Sequence, residues 1–226
     1  MPVDPNSEIE ITAFRWVPPF AQGLVRDLRL RWALEEIGRA YSVRLLDATK
    51  PRPADYFCEQ PWGQVPVYKD KEVELFESGA ILIHLGMQDE RLLPRDANGK
   101  MRGIAWLIAA LNSVEPAIFP LLMINNFNRD EPWTAEAKPK FAERLQGKLK
   151  CVSEALGDKE WLEDRFTIGD LMLVAVLRQL RGTGILDQFP NLTALVKRGE
   201  SRPAFQKALS DQLAVFREHE PQGEPA

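Results

Sequence analysis

The stretch that decides the fold runs Gln60-Pro61-Trp62-Gly63-Gln64-Val65-Pro66-Val67-Tyr68, then Lys69-Asp70-Lys71-Glu72-Val73-Glu74-Leu75-Phe76, then Glu77-Ser78-Gly79. Pro61 and Gly63 punctuate a turn. Gln64-Val65-Pro66 begins a short extended run, Asp70-Lys71 makes a tight polar turn, and Val73 to Phe76 forms a second extended run. Glu77-Ser78 then opens an apolar helix that includes Ala80 to Leu85. The reading is a hairpin that delivers a carboxylate and a hydroxyl to a helix N-terminus. Main-chain N–H groups there lack intrahelical partners and carry partial positive charge, so a ligand carboxylate would sit well at that spot.

Pro66 removes a donor at the start of a strand and fixes its own φ. A proline in that place is either an edge device or part of a cis peptide. A cis bond would turn the Val65 N–H and C=O outward, toward an extended peptide-like ligand.

Upstream, residues 8–14 alternate as a strand, and Arg15-Trp16-Val17-Pro18-Pro19-Phe20 forms a loop because two adjacent prolines stop the strand. A helix is expected from about Gln22 to Ile37, with Val25, Leu28 and Trp32 on its apolar face and Gly38 as its stop. Tyr41 to Leu46 reads as a second strand, parallel to the first across the crossover helix. Residues 47–63 are irregular, with one helical turn around Ala54 to Cys58. The resulting order is β-α-β-(α)-β-β-α.

Downstream, Asp89 to Lys100 reads as a linker, and everything after it as helix. Met101 to Val114 is apolar on most sides, with Pro116 and Pro120 bending or breaking it, and Asn125 to Pro132 is a loop. Thr134 to Leu156 is a long amphipathic helix ending near Gly157. Thr167 and Asp170 form a capping box before a run, Leu171 to Leu180, that is apolar nearly all round, as a buried central helix requires. The tail from His219 to Ala226 reads as frayed. The fold class is α+β: a thioredoxin-like N-terminal domain, residues 8–88, followed by an all-α helical domain, residues 99–220.

The 226 residues are 45% hydrophobic and 27% charged, which suits a water-soluble chain with a sizeable core. A net charge of −4 argues against nucleic acid as a partner. Cys58 and Cys151 form no C-x-x-C motif and point to a reducing, cytoplasmic setting, and two histidines make no metal cluster. The sequence reading finds no signal peptide and no apolar stretch of about 18 residues that would place it in a membrane.

Pro61-Trp62-Gly63-Gln64-Val65-Pro66, followed at the right distance by Glu77-Ser78, resembles the glutathione-binding half of the glutathione S-transferase family. The resemblance implies a cis Val65-Pro66 bond, a Val65 main chain that pairs with the cysteinyl part of glutathione, a Gln64 contact, and Glu77-Ser78 holding the γ-glutamyl carboxylate. By the same resemblance Arg52, with Lys50 as stand-in, meets the glycyl carboxylate, and Trp106, Asn112 and Glu115 face the co-substrate. It further implies a homodimer that uses glutathione as co-substrate, without metal, against a small hydrophobic electrophile in detoxification. The alternative on the same fold is a non-catalytic glutathione- or ligand-binding protein.

The likeness breaks at the catalytic position. Family members place a hydroxyl or cysteine near the end of the first strand or start of the first helix, but Phe14 to Arg26 holds no Ser, Cys or Tyr, and Thr12 lies within the strand. Three substitutes are open: a cation, Arg15 or Arg26; the main-chain N–H groups of a helix start around Gln22 to Leu24; or the Gln22 side-chain amide.

Overall fold

The computed structural model describes residues 3–221, so the end of the C-terminal tail lies outside the described residues. The chain divides into two compact units, Met1–Asp89 with Arg202–Ala226, and Glu90–Ser201.

In the first unit, β1 (Glu10–Phe14), α1 (Asp27–Glu36), β2 (Ser42–Leu46), α2 (Tyr56–Glu59), β3 (Val67–Lys69), β4 (Glu74–Phe76) and α3 (Ser78–Gln88) follow in the expected order. The sheet order is β2-β1-β3-β4, with β1 parallel to β2 and antiparallel to β3. The Asp70-Lys71 turn closes the β3–β4 hairpin. Asp70 Oδ1 accepts the N–H groups of Glu72 (2.8 Å) and Val73 (2.9 Å), and Oδ2 accepts the Tyr68 hydroxyl (2.7 Å) and faces His84 Nε2 (3.3 Å).

Helix α1 starts later than its periodicity suggests. Gly23 has φ +75°, a left-handed conformation that breaks helical propagation, and residues 18–26 form successive turns. Helix α9 (Pro203–Glu218) belongs with the first unit, so the second unit stops at Ser201 and does not extend to 220. The cause is a set of polar anchors that periodicity does not reveal. Gln212 Nε2 donates to Asp27 Oδ1 at 2.7 Å, Asp27 pairs with Arg31 at 2.7 Å, and Arg202 grips both Glu36 oxygens at 2.5 and 2.8 Å. Trp32 and Phe205 meet edge to face with centroids 4.9 Å apart.

The second unit is helical. Asp96 caps α4 (Ala97–Ala109) by accepting Gly99 N–H at 2.7 Å, so the expected linker already contains the first turn of a helix. α4 runs through a π-helical turn (Ala110–Val114) directly into α5 (Glu115–Phe127). Pro116 does not break it: the proline sits at the first turn of α5, where its missing N–H matters least, and the π turn absorbs the change in pairing. By length and composition residues 97–127 also meet the requirement for crossing a bilayer, contrary to the sequence reading; the helix packs on α6 (Thr134–Leu156) and α7 (Ile168–Leu177), which accounts for its apolar face. α4 and α7 approach closely at two glycines: a Cβ on Gly169 would lie 2.7 Å from Trp106 Cβ. The capping box is present, and Asp170 Oδ1 additionally accepts Leu162 N–H at 2.8 Å. Two short 3-10 turns lead to α8 (Pro190–Glu200).

Two outcomes follow. Thr167→Ala removes the cap of the buried α7 and should destabilise the protein by about 1–2 kcal/mol in urea denaturation, with Thr167→Ser close to the parent. Burial alone would raise the Asp70 carboxyl, but the bonds from Tyr68, Glu72, Val73 and His84 outweigh it and hold it at about 2. A depressed carboxyl contributes stability above its unfolded value of 3.8 and loses it as pH falls toward 2. The destabilisation caused by Asp70→Asn should therefore be full at neutral pH and shrink below about pH 4.

Candidate functional site

The register of the hairpin builds the site. Val67 pairs with Phe76, so the residues before Val67 and those after Phe76 leave the hairpin at the same end. Gln64, Val65 and Pro66 form one side of that end, and Glu77 with Ser78 the other.

A buried relay pins the first side to the sheet. Val67 N–H donates to Thr12 Oγ1 at 2.7 Å, and the Tyr56 hydroxyl donates to the Gln64 carbonyl at 2.7 Å. The Tyr56 proton is thereby committed, so the 2.9 Å contact between Thr12 Oγ1 and Tyr56 Oη has Thr12 as donor. Both side chains are buried, and burial raises the Tyr56 phenol against the opposing bond from Thr12. The Val65–Pro66 peptide is cis, and among the described residues none donates to or accepts from the Val65 main chain.

The second side is a helix start with an unusual entry. Glu77 has φ +70° and ψ +110°, a conformation that costs a non-glycine residue roughly 1–3 kcal/mol and that clusters at ligand clamps. Glu77 is exposed, whereas Ser78, the first residue of α3, is buried and its Oγ accepts from Arg29 Nη1 at 3.2 Å.

Of the two candidate cations, only Arg26 comes to this end: its Nη1 lies 3.4 Å from Gln64 Oε1, and its guanidinium is exposed. Arg15 sits at the end of β1, where its N–H bonds the Leu46 carbonyl, and its charge is felt at Asp47. Asp47 is held below its usual range first by hydrogen bonds from Thr49 and more weakly by Lys50 and Arg15. The other two candidates lie in the turns before α1. The start of α1 lies at Asp27, the N–H groups of Gln22 and Leu24 bond the carbonyls of Pro19 and Ala21, and the Gln22 amide donates to the Val17 carbonyl at 3.1 Å.

Arg52 is placed as a clasp. Its guanidinium bonds the carbonyls of Asp47 (2.5 Å), Lys50 (2.9 Å) and Gly63 (3.0 Å) and stacks 4.8 Å from the Phe14 ring centroid. This fixes the loop before α2 to the turn at Gly63, and Lys50 is exposed beside Asp47.

In the second unit, the three residues assigned to the co-substrate do not share one place. Trp106 lines a cavity of about 260 Å³ with Ala110, Val114, Cys151 and Leu173, and its Nε1 donates to Glu163 at 2.7 Å. Asn112 is exposed, and Glu115 is buried and accepts from Gln179 Nε2 at 2.9 Å, as a buried carboxylate requires. Among the described residues no three His, Cys, Asp or Glu side chains gather as a metal-binding group.

Sequence reasoning missed Thr12, Tyr56 and Arg29. The signal for Arg29 was an arginine between Leu28 and Trp32, three residues before Trp32 on α1; the other two carried none beyond their residue type.

A model of the glutathione S-transferase N-terminal domain matches residues 21–86, and one of the C-terminal domain matches residues 121–212. A probable glutathione S-transferase of Oryza sativa is 29% identical over 190 residues, covering 78% of this chain and 87% of the relative. A glutathione S-transferase of Zea mays is 26% identical, with 80% and 90% covered. Among solved structures, a glutathione transferase family member from Pseudomonas fluorescens with two glutathione bound has the same fold, with a TM-score of 0.79, 23% identity, and 90% and 92% of the chains covered. One from Burkholderia graminis gives 0.77, 22%, 90% and 88%.

Replacing Thr12 by Val would break the relay and leave the Val67 N–H buried without an acceptor. It should cost about 1–3 kcal/mol in chemical denaturation and weaken glutathione binding in calorimetric titration.

Proposed function

We propose, for a chain that belongs to the glutathione S-transferase family, that it transfers the thiolate of glutathione to a small, apolar electrophile. The observation that carries the reading is the convergence at one end of the β3–β4 hairpin: an unpaired Val65 main chain on one side, and the α3 start with Glu77 and Ser78 on the other. Glutathione is an extended peptide with a carboxylate at each end. Its cysteinyl backbone would pair with Val65, and its γ-glutamyl carboxylate would meet the α3 N–H groups and the Ser78 hydroxyl.

The free thiol titrates near 8.5, so catalysis at neutral pH needs a group that favours the thiolate. Two hydroxyls bonded to the Gln64–Val67 loop, Thr12 and Tyr56, are buried and engaged with each other and with the main chain. Arg26 is an exposed cation beside Gln64 at this end of the hairpin, and its charge would stabilise sulfur once the thiol proton has passed to solvent. The thiolate then forms a C–S bond with the electrophile. In a substitution the leaving group departs with its electron pair; in an addition the neighbouring carbon takes up a proton.

A homodimer and a cytoplasmic, detoxifying role belong to the same reading, and the free thiols of Cys58 and Cys151 support a reducing compartment. A second reading is retained ligand binding without transfer. It is favoured by one observation: no uncommitted hydroxyl or thiol among the described residues takes the position the family uses for activation.

Thiolate ultraviolet absorbance of bound glutathione, followed against pH, separates the two. Transfer chemistry requires ionisation well below about 8.5, with Arg26→Met returning it toward that value and cutting kcat at least about tenfold, and with Arg15→Met near the parent. Bound glutathione that ionises as in water leaves the binding reading.

A further inference from the structure

The sheet order makes β2 an edge strand, on the side away from β3 and β4. Ser42 N–H bonds the Ile9 carbonyl at 2.7 Å, and the Leu46 carbonyl accepts Arg15 N–H at 2.8 Å. Ser42, Arg44 and Leu46 therefore turn their main chains to β1, and Val43 and Leu45, which alternate with them, turn their N–H and C=O groups to the open edge. Among the described residues none bonds the main chain of Val43 or Leu45. One step earlier the edge is occupied: Val3 bridges Tyr41 in parallel, and Asp4 N–H bonds the Tyr41 carbonyl at 2.8 Å. That pairing ends at Pro5, which has no N–H to extend it, and Ser7 N–H bonds back to the Asp4 carbonyl at 3.0 Å.

Beyond that turn a cavity of about 600 Å³, within the range of ligand sites, runs along β2. Residues 42–45 all line it, which places it at the strand edge, because successive side chains point to opposite faces. Val3, Pro5, Ala214 and Val215 supply apolar walls. Arg31 also lines the cavity, is 1% exposed, and its Nη2 has no hydrogen-bond partner among the described residues. A buried donor of this kind calls for an acceptor. A neutral acceptor fits better than an anion, because each charged side chain on the walls already holds an opposite charge: Arg31 with Asp27 at 2.7 Å, Arg44 with Glu10 at 3.0 Å, and Asp211 with Lys207. A peptide offers neutral carbonyls, and it alternates them with the N–H groups that the Val43 and Leu45 carbonyls need.

We propose that the β2 edge is a docking site for a partner protein, which adds to it an extended, uncharged segment with apolar side chains at alternate positions. The segment's amides pair with Val43 and Leu45, one of its carbonyls accepts from Arg31 Nη2, and its apolar side chains cover Ala214 and Val215. The pairing of Val3 and Asp4 with Tyr41 shows that this edge takes a strand where chain is supplied, and the docked segment continues what Pro5 cuts short. A small apolar ligand differs in one respect: it uses the walls and Arg31 but not the outward amides. None of the groups that the glutathione reading uses takes part.

NMR titration of the full chain tests this with two capped peptides, N-acetyl-Thr-Val-Thr-Val-Thr-amide and its counterpart with aspartate in place of valine. The valine peptide should shift the Val43 and Leu45 amides saturably, with a Kd below about 1 mM, and the aspartate peptide should bind at least about tenfold more weakly. Val43→Pro deletes an outward N–H and spares the bonds to β1, so it should weaken the valine peptide at least about tenfold. Ala214→Trp fills the cavity from α9 without touching the strand and should give a similar loss; should Val43→Pro fail to fold, Leu45→Pro is read in its place. No saturable shift up to about 5 mM, or equal affinity for the two peptides, overturns the proposal. Binding lost in Ala214→Trp but kept in the proline variant makes the cavity a small-ligand pocket and overturns it as well. So does a dimer in sedimentation that the proline variant alone dissociates, because the occupant is then a second copy of this chain.

Discussion

The loop from Gln64 to Val67 depends on a relay of three hydrogen bonds: Val67 N–H to Thr12, Thr12 to Tyr56, and Tyr56 to the Gln64 carbonyl. Thr12, Tyr56 and Val67 are buried, and a buried polar group without a partner costs more than the bond itself contributes. The relay therefore tolerates no slack. It ties the residues on either side of the cis Val65–Pro66 bond to β1 and to α2, and it leaves the Val65 main chain between them as the unpaired segment. A polar residue in the middle of a core strand is explained by this task.

Helix α1 applies the same logic with charges. Arg29 reaches Ser78 at the start of α3, Arg31 pairs with Asp27, and Asp27 and Glu36 receive Gln212 and Arg202 from the C-terminal segment. Removing one partner from a buried pair leaves an uncompensated charge, so these contacts are demanding even where their net contribution is small. They make α1 the element to which both the site and α9 are fastened.

The same constraint shapes the chemistry. Hydroxyls that hold the loop in place are not available to a ligand's sulfur, and the clasp made by Arg52 uses its guanidinium on three carbonyls. The same end of the hairpin carries an exposed Arg26 beside Gln64, the Val65 main chain, the α3 start, and a strained Glu77 that sets the entry to that helix. Under the proposed function, anion recognition rests on these main-chain donors and sulfur activation on charge.

Much of this was legible in the sequence. The hairpin, the Asp70 turn, the helix from Thr134 to Leu156 and the Thr167–Asp170 capping box are local patterns, and the structure holds each where residue spacing placed it. The late start of α1 and the continuity of residues 97–127 across Pro116 and Pro120 were not, because a left-handed glycine and a π turn depend on backbone choices that spacing alone does not encode. The sequence by itself determined which segments are helix or strand and where the turn at Pro61 to Gly63 and the β3–β4 hairpin lie, since these follow from neighbours within a few residues. Only the tertiary structure decided which polar side chains are partners. Thr12 and Tyr56 are 44 residues apart, Arg29 and Ser78 are 49 apart, and Asp27 and Gln212 are 185 apart. Contacts of that range are selected by burial, which demands a partner for every polar group it encloses and leaves no periodic trace in the chain.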